Sequence, residues 1–196
     1  TVQRSGIDVL RSRGGIHLFQ DNGLKRVNFF DGQLLTAADL RAEQAYFLGR
    51  GRRHNRFAHG WGVLQGLGVS VAGDTVEVRP GAAIDCAGNE IHLPACVALA
   101  IPPDARRLVV LIRYVERAVD PLPVLGTDIA ADESSVQFSR IEEGCEVELS
   151  SNAVADPHPA LKPGSPGCGL PHPLAITLLR RSRSGWRKAL LARRRA

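Results

Sequence analysis

Two histidines, His54 and His59, sit five residues apart beside a run of glycines at positions 60, 62, 66 and 68. Around them, residues 28–69 also carry five arginines (Arg41, Arg50, Arg52, Arg53 and Arg56) and Trp61. Residues of these types do two kinds of chemistry: imidazoles bind metals, and glycine loops cradle phosphates. The spacing argues against both. On an α-helix of 3.6 residues per turn, side chains five apart diverge by about 140°. They make a poor pair for one zinc ion, and the His at i and i+4 with an adjacent Glu of a zinc protease helix is absent. A dinucleotide loop needs a strand, then the glycine turn, then a helix whose N-terminus meets the phosphate. Here the glycines follow a helix and precede a strand, and no Lys-Ser or Lys-Thr pair comes after them. The stretch therefore reads as a structural joint. His54 and His59 pack or hydrogen-bond, Gly60 ends the helix, Gly60 and Gly62 allow close backbone approach, and Trp61 is buried beneath them.

Other candidates are sparser. His158, Cys168 and His172 follow a His-x9-Cys-x3-His pattern that matches no familiar zinc finger, so a metal site there stays open and none is assigned. The four cysteines, Cys86, Cys96, Cys145 and Cys168, form no CxxC pair and are expected as reduced, mostly buried thiols. A hairpin centred on Ala87 and Gly88 would not set Cys86 opposite Cys96, so no disulfide is expected between them. No Gly-x-Ser-x-Gly elbow, Ser-x-x-Lys or acidic pair in a defined context is present. The expectation is a chain with no cofactor and no enzymatic activity.

The elements that position these residues follow from periodicity. Residues 1–27 hold scattered charges and four glycines, and predict an extended arm with little intrinsic structure. Thr36 and Asp39 form a capping box for a helix over about residues 37–57. Leu40, Phe47 and His54 share its apolar face, and the arginines lie mostly elsewhere. Residues 28–65 thus form a helical segment and joint. After it the period becomes two: "GLGVSV", "TVEVRP", "AAIDC", "EIHLP", "CVALAI" and "RLVVLIRYV" read as short antiparallel strands, with the last one central. Two loops, 119–135 and 155–173, interrupt a β domain over residues 66–179, with "VQFSRIEEGCEVEL" as a strand or strand pair and "LAITLL" as a further strand. The fold class is α+β, mainly β: an arm and one long helix preceding a compact antiparallel β-sandwich or barrel-like domain.

Charge is distributed unevenly. Residues 180–196 carry eight of the 25 basic side chains and no acid, which leaves 17 basic against 20 acidic residues elsewhere. A mildly acidic body with a basic tail points to a local contact. In the tail, Trp186, Leu190 and Leu191 are placed on one face of a short helix, beside Arg180, Arg181, Arg183, Arg187, Lys188, Arg193, Arg194 and Arg195. No apolar run reaches the length of about 18 residues that spans a membrane, and the first residues lack the pattern of a secretory signal.

Several of these runs resemble a family of mostly uncharacterised bacterial proteins found among phage-tail-like genes. They are "FFDGQLLTAADLRAEQAYFLGRGRRHNRFAHGWGVLQGLGV", "VEVRPGAAIDCAGNEI", "DPLPVL" and "FSRIEEGCEVEL". The resemblance spans roughly residues 28–149 and the proline loop before "LAITLL". Family members tend to have more cysteines in the two late loops. This chain has none in 119–135 and one in 155–173, which weakens a metal reading. The resemblance implies a baseplate or tail accessory component of a contractile injection particle, assembled in the cytoplasm and then released or membrane-docked. Its partners would be other subunits in a large hetero-oligomer, met through the arm, the arginines of the helix (Arg41, Arg50, Arg52, Arg53 and Arg56) and the basic tail. Two alternatives are a carbohydrate- or surface-binding module, for which exposed aromatics on the β body are few, and a nucleic-acid-binding protein using the basic tail.

Overall fold

The computed structural model describes residues 7–12, 15–20, 25–123, 136–151 and 164–190, and the chain divides into two units, Thr1–Arg52 and Arg53–Ala196. In the first unit, β1 (Ile7–Ser12) and β2 (Gly15–Gln20) form an antiparallel hairpin in register from Ile7 opposite Gln20 to Ser12 opposite Gly15. Weak periodicity predicts little structure here, yet backbone pairing between two short runs needs no long apolar repeat. Most of helix α1 (Ala37–His54) also belongs to this unit. Its start is the expected capping box: the Asp39 N–H donates to Thr36 Oγ1 at 3.2 Å, and the Thr36 N–H donates to Asp39 Oδ2 at 2.9 Å. Hydrogen bonds from Thr36 hold the Asp39 carboxyl below the usual range. No residue of α1 is buried, and Leu40 and Phe47, on the expected apolar face, are more than half exposed.

Among its described residues the second unit holds three antiparallel sheets. One has the order β3 (Gly62–Gly66), β6 (Gly81–Ile84), β7 (Glu90–Leu93), and another β4 (Val69–Ala72), β5 (Thr75–Val78), β8 (Val97–Ala100). The third is β10 (Val136–Ser150), β9 (Arg107–Pro123), β11 (Leu174–Ser182), β12 (Gly185–Leu190). The core collects Val76, Val78, Ile91, Leu108, Val110, Ile112, Ile176 and Leu179, each at most 2% exposed. Leu108 to Ile112 are five consecutive apolar residues buried on both faces, as the interior place of β9 requires.

Two expectations change. Residues 119–123, predicted as loop, continue β9 despite Pro121 and Pro123. Among the described residues β11 pairs with β9 only as far as Ile112, so beyond that point β9 is paired on one side only, the kind of place where a strand tolerates proline. The basic tail is the larger correction. Instead of a helix, Arg180 to Ser182 complete β11, and a tight turn leads into β12. Ser182 Oγ donates to the Gly185 carbonyl at 2.6 Å in that turn, and Trp186 stands opposite Arg181 and packs against the core. Strand pairing and that packing outweigh the helical spacing of Trp186 and Leu190. Leu191, Arg193, Arg194 and Arg195 lie outside the described residues, as do His158 and residues 124–135.

Candidate functional site

The joint is assembled where α1 runs into a π-helical turn, Asn55–His59. Its i to i+5 hydrogen bonding fits one extra residue into the turn. His54 and His59 therefore do not diverge as α-helical spacing predicts: their ring centroids lie 5.1 Å apart, edge to face. The turn also aims two polar side chains inward. Asn55, 9% exposed, donates through Nδ2 to the Gly88 carbonyl at 3.0 Å and to Glu90 Oε1 at 3.1 Å. Arg56 donates from Nε and Nη2 to the Gly167 carbonyl at 3.2 and 3.1 Å, so it acts as an internal strut and does not share an open arginine face.

The chain then passes close to residues 164–169. Gly60 has φ 68°, and a Cβ there would stand 2.3 Å from the Gly164 carbonyl oxygen. Only glycine meets both conditions. Trp61 exchanges backbone bonds with this segment: its N–H donates to the Ser165 carbonyl at 3.2 Å, and the Gly164 N–H donates to the Trp61 carbonyl at 2.7 Å. Trp61 is buried and Gly62 opens β3. Beside them the β6–β7 turn is held by buried Asp85. Its carboxylate accepts the Ala87 and Asn89 N–H groups at 2.9 and 2.8 Å and Asn89 Nδ2 at 2.8 Å.

Cys86 in this turn meets Cys168. The Cys168 N–H donates to Cys86 Sγ at 2.9 Å, and the Gly169 N–H donates to the Cys86 carbonyl at 2.9 Å. Burial pushes the Cys86 thiol up to about 11, against the lowering effect of the Cys168 N–H. Cys168 and His172 belong to no cluster of three or more metal-ligating side chains among the described residues.

A cleft of about 530 Å³ opens between β7 and the middle of the β9–β10 pair, lined by Glu90, His92, Tyr114, Glu143 and Cys145 among others. Its nucleophilic groups are engaged as donors. The Tyr114 hydroxyl donates to Glu116 Oε1 at 2.8 Å, and burial with the neighbouring carboxylates drives this phenol upward. Cys145 Sγ donates to the His92 carbonyl at 3.3 Å, and burial raises this thiol as well.

The charged residues divide differently from their sequence grouping. On α1, at about 100° per residue, Arg41 and Arg52 share a side while Arg50 lies opposite, so the helix carries positive charge around its circumference. Arg53 is exposed. On the β11–β12 hairpin, Arg181 Nη1 donates to the Pro103 carbonyl at 3.0 Å, and Lys188 Nζ to the Val69 carbonyl at 2.9 Å. Arg180 behaves otherwise. It stands directly opposite Arg187 on β12 and directly opposite Arg107 on β9, and all three are exposed. Adjacent strands lie about 4.8 Å apart, so three guanidinium groups form one row across three strands. The ion pairs Arg113–Glu146, Arg117–Glu142 and Arg140–Asp120 lie on the β9–β10 ribbon, and none of the three reaches this row. Like charges placed directly opposite destabilise a sheet. Arg107 lies far from the tail in sequence, and only strand register brings it in; Arg183 extends the basic surface in the adjoining turn.

No family model matches the sequence, and no curated protein matches it. Among solved structures, one similar chain comes from the TssK–TssF–TssG baseplate subcomplex of a type VI secretion system, at 13% identity and a TM-score of 0.46, covering 85% of this chain and 60% of that one. Another is TssK, at 14% identity and a TM-score of 0.47, covering 85% of this chain and 41% of that one. The chain thus spans less than two thirds of the length of either.

Proposed function

We propose that this protein is a non-enzymatic structural subunit of a phage-tail-like contractile injection particle, docking to neighbouring subunits through its basic hairpin, its helix and its arm. The row Arg107, Arg180 and Arg187 carries the reading: an exposed surface of like charges in fixed register fits an acidic neighbour, which relieves the repulsion that the fold itself leaves in place. The exposed apolar side chains of Leu40, Phe47 and Phe57 add contact area of the kind that subunit interfaces use. The sequence resemblance to tail-associated bacterial proteins supports the same assignment.

Deletion of residues 180–196 would remove β12 and the end of β11, so point reversals are the proper test. Particles purified from cells expressing the variant Arg107→Glu/Arg180→Glu/Arg187→Glu are expected to lack the chain, while the isolated variant keeps its thermal midpoint. Undiminished incorporation would overturn the docking role. The same row suits phosphates, and titration with duplex DNA at two salt concentrations separates the readings. Binding that is tight at low salt and collapses at high salt would favour nucleic acid over a protein neighbour.

A further inference from the structure

Two thiols 82 residues apart in sequence are brought together at the joint. Cys86 is buried and Cys168 is exposed. The contact depends on Gly167, where a Cβ would stand 2.2 Å from the Cys86 carbonyl oxygen; with no side chain there, the 164–169 segment lies flat on the β6–β7 turn. That places the Cys168 backbone nitrogen 2.9 Å from Cys86 Sγ, while Cys168 Sγ accepts the Leu170 N–H at 3.2 Å and donates to the Leu170 carbonyl at 3.7 Å. A disulfide needs two cysteines on closely adjoining backbones, and the contact of the Cys168 backbone nitrogen with Cys86 Sγ makes these two segments adjoin. Cys96 is exposed on the approach to β8, and Cys145 is engaged with the His92 carbonyl, so neither takes part in this contact.

We propose that Cys86 and Cys168 form a reversible disulfide that closes the joint when the protein meets an oxidised low-molecular-weight disulfide such as oxidised glutathione. Exposed Cys168 reacts first. Its thiolate attacks one sulfur of the oxidant, forming a mixed disulfide and expelling one glutathione thiolate, which takes up the proton lost from Cys168. Cys86, after giving up its proton, attacks Cys168 Sγ, and the second glutathione is expelled as a thiolate that takes up that proton. Two protein thiols lose two electrons, and one oxidant disulfide becomes two thiols. The new bond ties the 164–169 segment to the β6–β7 turn and closes a loop that holds most of the second unit. The inference concerns the isolated chain and does not depend on its docking role.

The test is exchange of the full chain with oxidised glutathione, followed by peptide mapping without reduction. The expected product is a cross-linked pair of peptides containing Cys86 and Cys168, with a thermal midpoint raised by several degrees. Cys86→Ser should arrest the reaction as a glutathione adduct on Cys168, and Cys168→Ser, altered at an exposed position, should give no linked peptide. A dominant link to Cys96 or Cys145, a stable glutathione adduct on the wild-type chain, or four thiols that all remain alkylatable at equilibrium would each overturn the proposal. Should Cys86→Ser fail to fold, the wild-type map and Cys168→Ser decide it.

Discussion

The joint around Trp61 and the arginine row at the end of the four-stranded sheet are both dense in polar groups, yet they are built on opposite terms. At the joint most polar groups close on one another, and only Trp61 Nε1 and Asn89 Oδ1 are buried there without a hydrogen-bond partner among the described residues. Asn55, Arg56 and Asp85 each spend their hydrogen bonds on backbone or a neighbouring side chain, and glycines let the strands touch. In the row, Arg107, Arg180 and Arg187 stand opposite one another, and the ion pairs of the β9–β10 ribbon do not include them. A largely closed network serves the fold, whereas an open row of like charge is what the proposed docking would use. Mutations at the two places should therefore fail in different assays.

The largest effect is expected at Gly60. Gly60→Ala puts a Cβ onto the Gly164 carbonyl at a backbone conformation that side chains avoid, and should cost about 2–4 kcal/mol in denaturant unfolding. A loss below 1 kcal/mol, well under the roughly 1–3 kcal/mol typical of overpacking alone, would mean that the 164–169 segment yields easily. Next comes Asn55→Ala, which strips the donor from the Gly88 carbonyl and should cost about 1–2 kcal/mol. The row inverts this pattern: Arg180→Ser should leave stability unchanged or raise it by about 0.2–1 kcal/mol, while incorporation into particles falls. Stability loss without assembly loss would place the row with the joint. The smallest effect belongs to the helix cap. Because Asp39 titrates below its ordinary value of 3.8 when folded, its contribution is complete above that value and drains away as the pH falls through the lowered one. An NMR titration of the Thr36 amide should report that midpoint, and Asp39→Asn should abolish it.

Much of this was legible in the residues. The capping box and the helix stop at Gly60 follow from neighbours only a few positions away, and the buried Trp61 and the central place of residues 108–112 follow from apolar character that the packed fold then uses. Three features were not. The π-helical turn defeats the α-helical angle between His54 and His59, since nothing in those two residues announces one extra residue per turn. The β12 strand defeats the helical spacing of Trp186 and Leu190, because pairing with β11 is decided by partners. The role of Arg56 was hidden because its acceptor, the Gly167 carbonyl, is 111 residues away.

The sequence by itself determined the mainly β class, the long helix α1 with its capping box, and the unequal distribution of charge. Tertiary structure alone decided which charges stand together and which thiols meet. Arg107 joins Arg180 and Arg187, and Cys86 joins Cys168, through strand register and loop return. Periodicity reports which face of an element is buried. Only the packed fold fixes which distant elements lie side by side.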